Sequence, residues 1–182
     1  MNNRLSHILI FSVLLFGTAL PQNSETIQAN SPSPADSANT RPVITLERTL
    51  CYGACPGYEL EINSSGLLVY RGKGFVKTKG EVRDTLSESQ LDLLLNLFRD
   101  ANYFTLKQRY KQQNSCGIRA TDHPSVITSF RDRGQYEKID HYLGCYQSTD
   151  ENGHLVRSKA DRQLVALEDS VDSIVKTTRW IR

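Results

Sequence analysis

"YELEINSSGLLVYRG", residues 58–72, decides the fold. Tyr58, Leu60 and Ile62 alternate with Glu59, Glu61 and Asn63. That period of two marks a strand with one buried and one wet face. Asn63 to Gly66 supplies turn residues, and Leu67 to Gly72 returns as a second apolar run, so the stretch reads as a β-hairpin. Upstream, "PVITLERT" (42–49) holds a short β-rich run, Val43, Ile44 and Leu46, that reads as the first strand. Downstream, residues 75–86 read as one bent strand or two short ones, with Gly80 at the bend.

The period then changes. Ser87 and Gln90 have the spacing of a capping box, and Leu91, Leu94, Leu95 and Phe98 follow at helical intervals, which predicts a helix over 88–101. Residues 103–106 read as a short buried segment and 107–124 as a long loop. "SVITSF" and "QYEKIDHYL" form a second hairpin about Gly134. Leu164, Leu167, Val171, Ile174 and Val175 predict a second amphipathic helix over 160–176. Trp180 is expected to be buried against the sheet. Strands arranged as hairpins, with helices that do not alternate with them, point to an α+β fold: an antiparallel sheet with two amphipathic helices on one face.

The 182-residue chain opens like an export signal. Arg4 precedes an apolar run from Ile8 to Phe16, broken only by Ser12, and Gly17-Thr18-Ala19 offers small residues for cleavage. Residues 1–19 are therefore expected to be removed, with a later cut possible after Ala29. The apolar stretch is too short for an ordinary span, so no membrane span is expected after cleavage. Residues 20–42 read as a disordered tether, since 21–42 contain four prolines and one large aliphatic residue, Ile27. One domain, 43–182, remains. The formal net charge is +2 without a dense basic run, so nucleic acid is not an expected partner.

All four cysteines, Cys51, Cys55, Cys116 and Cys145, follow the expected cut, and an even number in an exported chain reads as disulfides with three possible connectivities. Cys116 and Cys145 flank the second hairpin at comparable distances from its turn, which favours 116–145 together with 51–55. In a chain-entropy account the larger loop is worth about 3.6 kcal/mol and the smaller about 2 kcal/mol. "CYGACP" admits two other readings. Its C-x-x-x-C-P spacing resembles that of Sco-type copper chaperones, so Cys51 and Cys55, with His141 or His123 as third ligand, form a candidate copper or zinc site. A thiol-redox pair is the other, although a strand rather than a helix follows Pro56, leaving no helix N-terminus to activate a thiolate. His141 shares a strand face with Ile139 and Leu143 and reads as a hydrogen-bonded core histidine. Glu47 and Arg48 read as an exposed ion pair. There is no G-x-S-x-G elbow, no H-E-x-x-H and no phosphate-cradling glycine motif, so no catalytic residue or cofactor is assigned.

"ERTLCYGACPGYELEI", the later "DHPSVITSF…IDHY" and the closing "RWI" resemble an exported bacterial family labelled as a domain of unknown function. Its signature is E-R-T-x-C-x-G-x-C-P-x-Y with a C-terminal R-W-I, and this chain fits it at Cys51, Gly53, Cys55, Pro56 and Tyr58. The resemblance implies one exported α+β domain and no particular activity. The expectation is a periplasmic or extracellular, disulfide-stabilised binding module, with its partner among envelope or extracellular proteins. The alternative is a metal-binding or thiol-redox protein centred on Cys51 and Cys55.

Overall fold

The computed structural model describes residues 41–113 and 116–182. The expected signal segment and nearly all of the expected tether lie outside these residues; Pro42, which falls within the tether as read, opens the first strand. Six strands form one antiparallel sheet: β1 Pro42–Arg48, β2 Gly57–Asn63, β3 Leu67–Gly74, β4 Gly80–Thr85, β6 Ser125–Asp132 and β7 Gln135–Tyr142. Their order is β4-β3-β2-β1-β6-β7. Two short ladders complete the β-structure, β5 (Ile118–Arg119) with β8 (Cys145–Tyr146) and β9 (Ser148–Thr149) with β10 (Leu155–Val156).

The alternation in the opening stretch does what period two requires. Tyr58, Leu60 and Ile62 are buried on one face, beside Ile44 and Leu46 of β1 and Leu68 and Tyr70 of β3. Glu59 and Glu61 take the other face, where Lys73 pairs with Glu47 and Glu59, and Arg71 with Glu61 and Glu81. Asn63 builds the hairpin turn. Its Oδ1 accepts from the backbone N–H of Ser65 (3.0 Å) and of Leu67 (2.9 Å), while Gly66 takes φ +82° with Leu86 O packed against it. The second hairpin turns through Arg133 and Gly134, both at positive φ.

Among the described residues four helices lie against the inner face: α1 Glu88–Asp100, α2 Tyr103–Gln113, α3 Lys159–Val175 and the short α4 Thr178–Ile181. Ser87 and Gln90 form the expected capping box on α1, which buries Leu94 and Phe98. Helix α3 starts at Ser158, whose Oγ accepts from Asp161 N, and buries Leu164, Leu167, Val171 and Val175. Trp180 is buried and stacks on Tyr70 with ring centroids 4.6 Å apart.

Two expectations change. Residues 103–113, read as a buried segment and the start of a loop, form α2. Tyr103, Leu106 and Tyr110 are buried at i, i+3 and i+7, a helical stripe carried by two tyrosines among polar residues. Residues 75–79 are not strand. They leave the sheet so that Thr78 N donates to Trp180 O (2.9 Å) and Thr78 O accepts from the Tyr70 hydroxyl (3.1 Å), which ties this loop to α4. Cys51 bonds Cys55 and Cys116 bonds Cys145, with Cα separations of 5.6 and 5.0 Å. No described helix is long and apolar enough to cross a membrane.

Asn63→Ala removes the acceptor for two backbone N–H groups of the turn. Urea denaturation is expected to show a loss of about 1–3 kcal/mol.

Candidate functional site

The stripe of α3 that faces the sheet is not wholly apolar. Asp161 and Glu168 occupy it at i and i+7, interleaved with Leu164 and Val171, and each is only 1% exposed. Opposite them His141 projects from β7, fully buried. Its Nδ1 lies 2.8 and 3.0 Å from the two Glu168 carboxylate oxygens, and its Nε2 lies 2.8 Å from Asp161 Oδ1. Ionised carboxylates only accept, so with Asp161 and Glu168 both ionised both ring nitrogens donate and the ring is an imidazolium. Burial by itself pushes His141 toward the neutral form. The hydrogen bonds to Asp161 and Glu168 and their charges outweigh it, and the pKa rises to about 9. Asp161 is held below the usual carboxylate range because His141 and Arg157 outweigh its burial. For Glu168 burial prevails over the opposing pull of His141, and its pKa is raised.

The charges continue in both directions. Arg157 Nη1 donates to Asp161 Oδ2 (3.0 Å) and Nη2 to Leu143 O (2.6 Å), with the guanidinium over the Tyr146 ring. One turn beyond Glu168, Asp172 takes Arg48 Nε on Oδ2 (2.7 Å) and the Tyr58 hydroxyl on Oδ1 (2.7 Å). Arg48 Nη2 also reaches Asp169 at 2.9 Å. Burial, then the Asp172 charge, pushes the Tyr58 phenol well above its ordinary value, so it stays a neutral donor. Burial by itself would lower the Arg48 pKa, but Asp172, with Tyr58 and Glu168, outweighs it, and Arg48 remains protonated.

Arg48 and Tyr58 face each other across β1 and β2, and both line a cavity of ≈ 470 Å³. Pro56 walls one side and Asp172, Lys176 and Arg182, among others, the other. The linking loop is braced at both ends. Thr49 extends the pairing of β1 with β6 through two hydrogen bonds to Ser125, and the Cys51–Cys55 bond closes the segment before Pro56.

A family model matches residues 42–172, most of the chain. The chain belongs to the family described as Domain of unknown function (DUF6438). No curated protein matches it. The DUF6438 match spans the sheet and α3 as far as Asp172, so the charged row lies inside it. Lys176, Trp180 and Arg182 lie past its end.

His141 was legible in this DUF6438 chain as a hydrogen-bonded core residue, and its surroundings have that character. In the candidate metal set the two sulfurs of Cys51 and Cys55 are bonded to each other, and both His141 nitrogens face carboxylates, so the three do not present ligand atoms to a common point. Glu47 and Arg48 are not a pair: neighbours on a strand point to opposite faces, so Glu47 meets Lys73 and Arg48 meets Asp172. Asp161, Glu168 and Asp172 escaped the sequence reading. Their signal is acidic residues placed on or beside the apolar stripe of a helix, facing a strand that carries a histidine among aliphatics.

The folded protein keeps the His141 proton to about pH 9, whereas the ordinary value is 6.5. Between these values folding takes up a proton, so the melting temperature is expected to fall as pH rises from about 6.5 to about 9. Asp161→Asn, which keeps the shape but removes one charge, is expected to flatten that slope in thermal melts across the window.

Proposed function

We propose that this chain is an exported, disulfide-braced binding module and that the ≈ 470 Å³ cavity is its ligand site. The observation that carries the reading is convergence. Arg48, Pro56 and Tyr58, from one short stretch of sequence, meet the end of α3 at a single concavity, and their geometry is held by partly buried hydrogen bonds and a local disulfide. Such pre-organisation lowers the ordering cost of association. It suits binding better than catalysis, since Tyr58 is a firmly neutral phenol and both nitrogens of His141 are engaged. Export rests on the N-terminal pattern of Arg4, the apolar run to Phe16 and the small residues after it, together with four cysteines that are all paired. The partner is then an envelope or extracellular component. A copper, zinc or thiol-redox role for Cys51 and Cys55 would require their bond to be reduced first.

The full chain produced in a bacterial host tests this directly. Fractionation, alkylation without reductant and intact-mass measurement should find the protein outside the cytoplasm, shortened near residue 19 or 29 and without alkylated cysteine. An uncleaved cytoplasmic chain with four alkylated thiols would contradict the reading.

A further inference from the structure

The cavity does not stand alone at its end of the sheet. Leu50, Tyr52 and Phe75 are 49%, 90% and 58% exposed; Leu50 and Tyr52 lie in the chain between Arg48 and Pro56 of the cavity wall, and Phe75 follows β3. Leu50 connects the two segments through close packing. The Leu50 side chain lies over Gly57 and Gly74, where an added Cβ would come within 2.6 and 3.1 Å of Leu50 Cδ2. Gly57 follows Pro56 of the cavity wall, and Gly74 precedes Phe75. Tyr52 sits inside the Cys51–Cys55 loop, so a covalent ring presents an aromatic side chain to solvent at small entropic cost on binding. Phe75 takes φ 52°, in the left-handed region that a bulky side chain occupies at a cost, and spends that conformation on an exposed ring. Exposed apolar groups on segments that adjoin a concavity mark an interaction surface, and their reach beyond the cavity calls for an occupant larger than a small molecule.

Charge narrows the occupant. Asp169 and Asp172 are both engaged by Arg48, whereas Lys176 and Arg182 are exposed and make no ion pair among the described residues. We infer that this surface binds a peptide segment of a partner protein that places an acidic side chain between Lys176 and Arg182 and lays apolar flanks on Leu50, Tyr52 and Phe75. This rests on the cavity being a ligand site. An anionic membrane would suit the same apolar groups and cations, and phosphatidylglycerol vesicles form that arm of the test.

The full chain, with its disulfides intact, is probed with an array of 12-residue peptides that combines acidic, neutral or basic centres with apolar or polar flanks. Acidic-centred, apolar-flanked peptides should be retained at least tenfold better than the others. Combined K176E and R182E should lower that retention at least tenfold. So should Tyr52→Ser combined with Phe75→Gly, and Phe75→Gly accepts the left-handed backbone, so its melting temperature should hold or rise while binding falls. Absence of an acidic preference, full retention by either double variant, or capture by phosphatidylglycerol vesicles without peptide discrimination overturns the inference. Selective retention of basic or neutral peptides, lost in Arg48→Gln, overturns it while leaving the cavity a ligand site. Retention of nothing overturns both.

Discussion

The imidazolium of His141, clamped between Asp161 and Glu168, is the interaction on which the arrangement of α3 depends. A buried ion pair costs several kcal/mol in desolvation and can be matched in stability by apolar residues of similar volume. What apolar residues cannot supply is a unique register. An aliphatic stripe tolerates a helix that slides or rotates, whereas an imidazolium with two fixed N–H directions accepts carboxylates at one spacing along the helix. Asp161 and Glu168 are two turns apart, and the ring spans them only when α3 lies in this one position over β7.

That position determines the rest of the row. With Glu168 on His141, the next turn brings Asp172 onto Arg48 and Tyr58, where β1 ends and β2 begins, and Arg48 in turn lowers the cost of the Glu168 charge. The end of α3 then leads into α4, and Trp180 reaches Tyr70 while Arg179 meets Asp84 at the opposite edge of the sheet. The cavity is the gap left between that helix end and the strand ends. Its walls come from segments more than a hundred residues apart, but one charged row aligns them.

The six strands of the main sheet and the two long helices were legible because their signals are local and redundant, whereas the short strands β5, β8, β9 and β10 were not. The alternation in 58–62, the turn residues at 63–66 and the capping box at Ser87 each specify structure within a few residues. The disulfide pairing was legible because hairpin geometry limits the choices. Helix α2 was less so: its buried face is Tyr103, Leu106 and Tyr110, spread among lysines and glutamines. Phe75 and Val76 look like strand residues, and contacts of Thr78 with Trp180, far along the chain, and with Tyr70 hold their loop away from the sheet. The charged row was hidden for the same reason. His141 could be read as a core residue, but its partners lie 20 and 27 positions away, where apolar periodicity passes over acidic residues.

Nitrogen NMR of the His141 ring tests the central claim most directly, because it reports both ring nitrogens of this one side chain. The account predicts protonation at both Nδ1 and Nε2 at neutral pH, persisting until the pH approaches about 9. A neutral ring with a single protonated nitrogen at pH 7 would contradict it and would remove the clamp that positions α3.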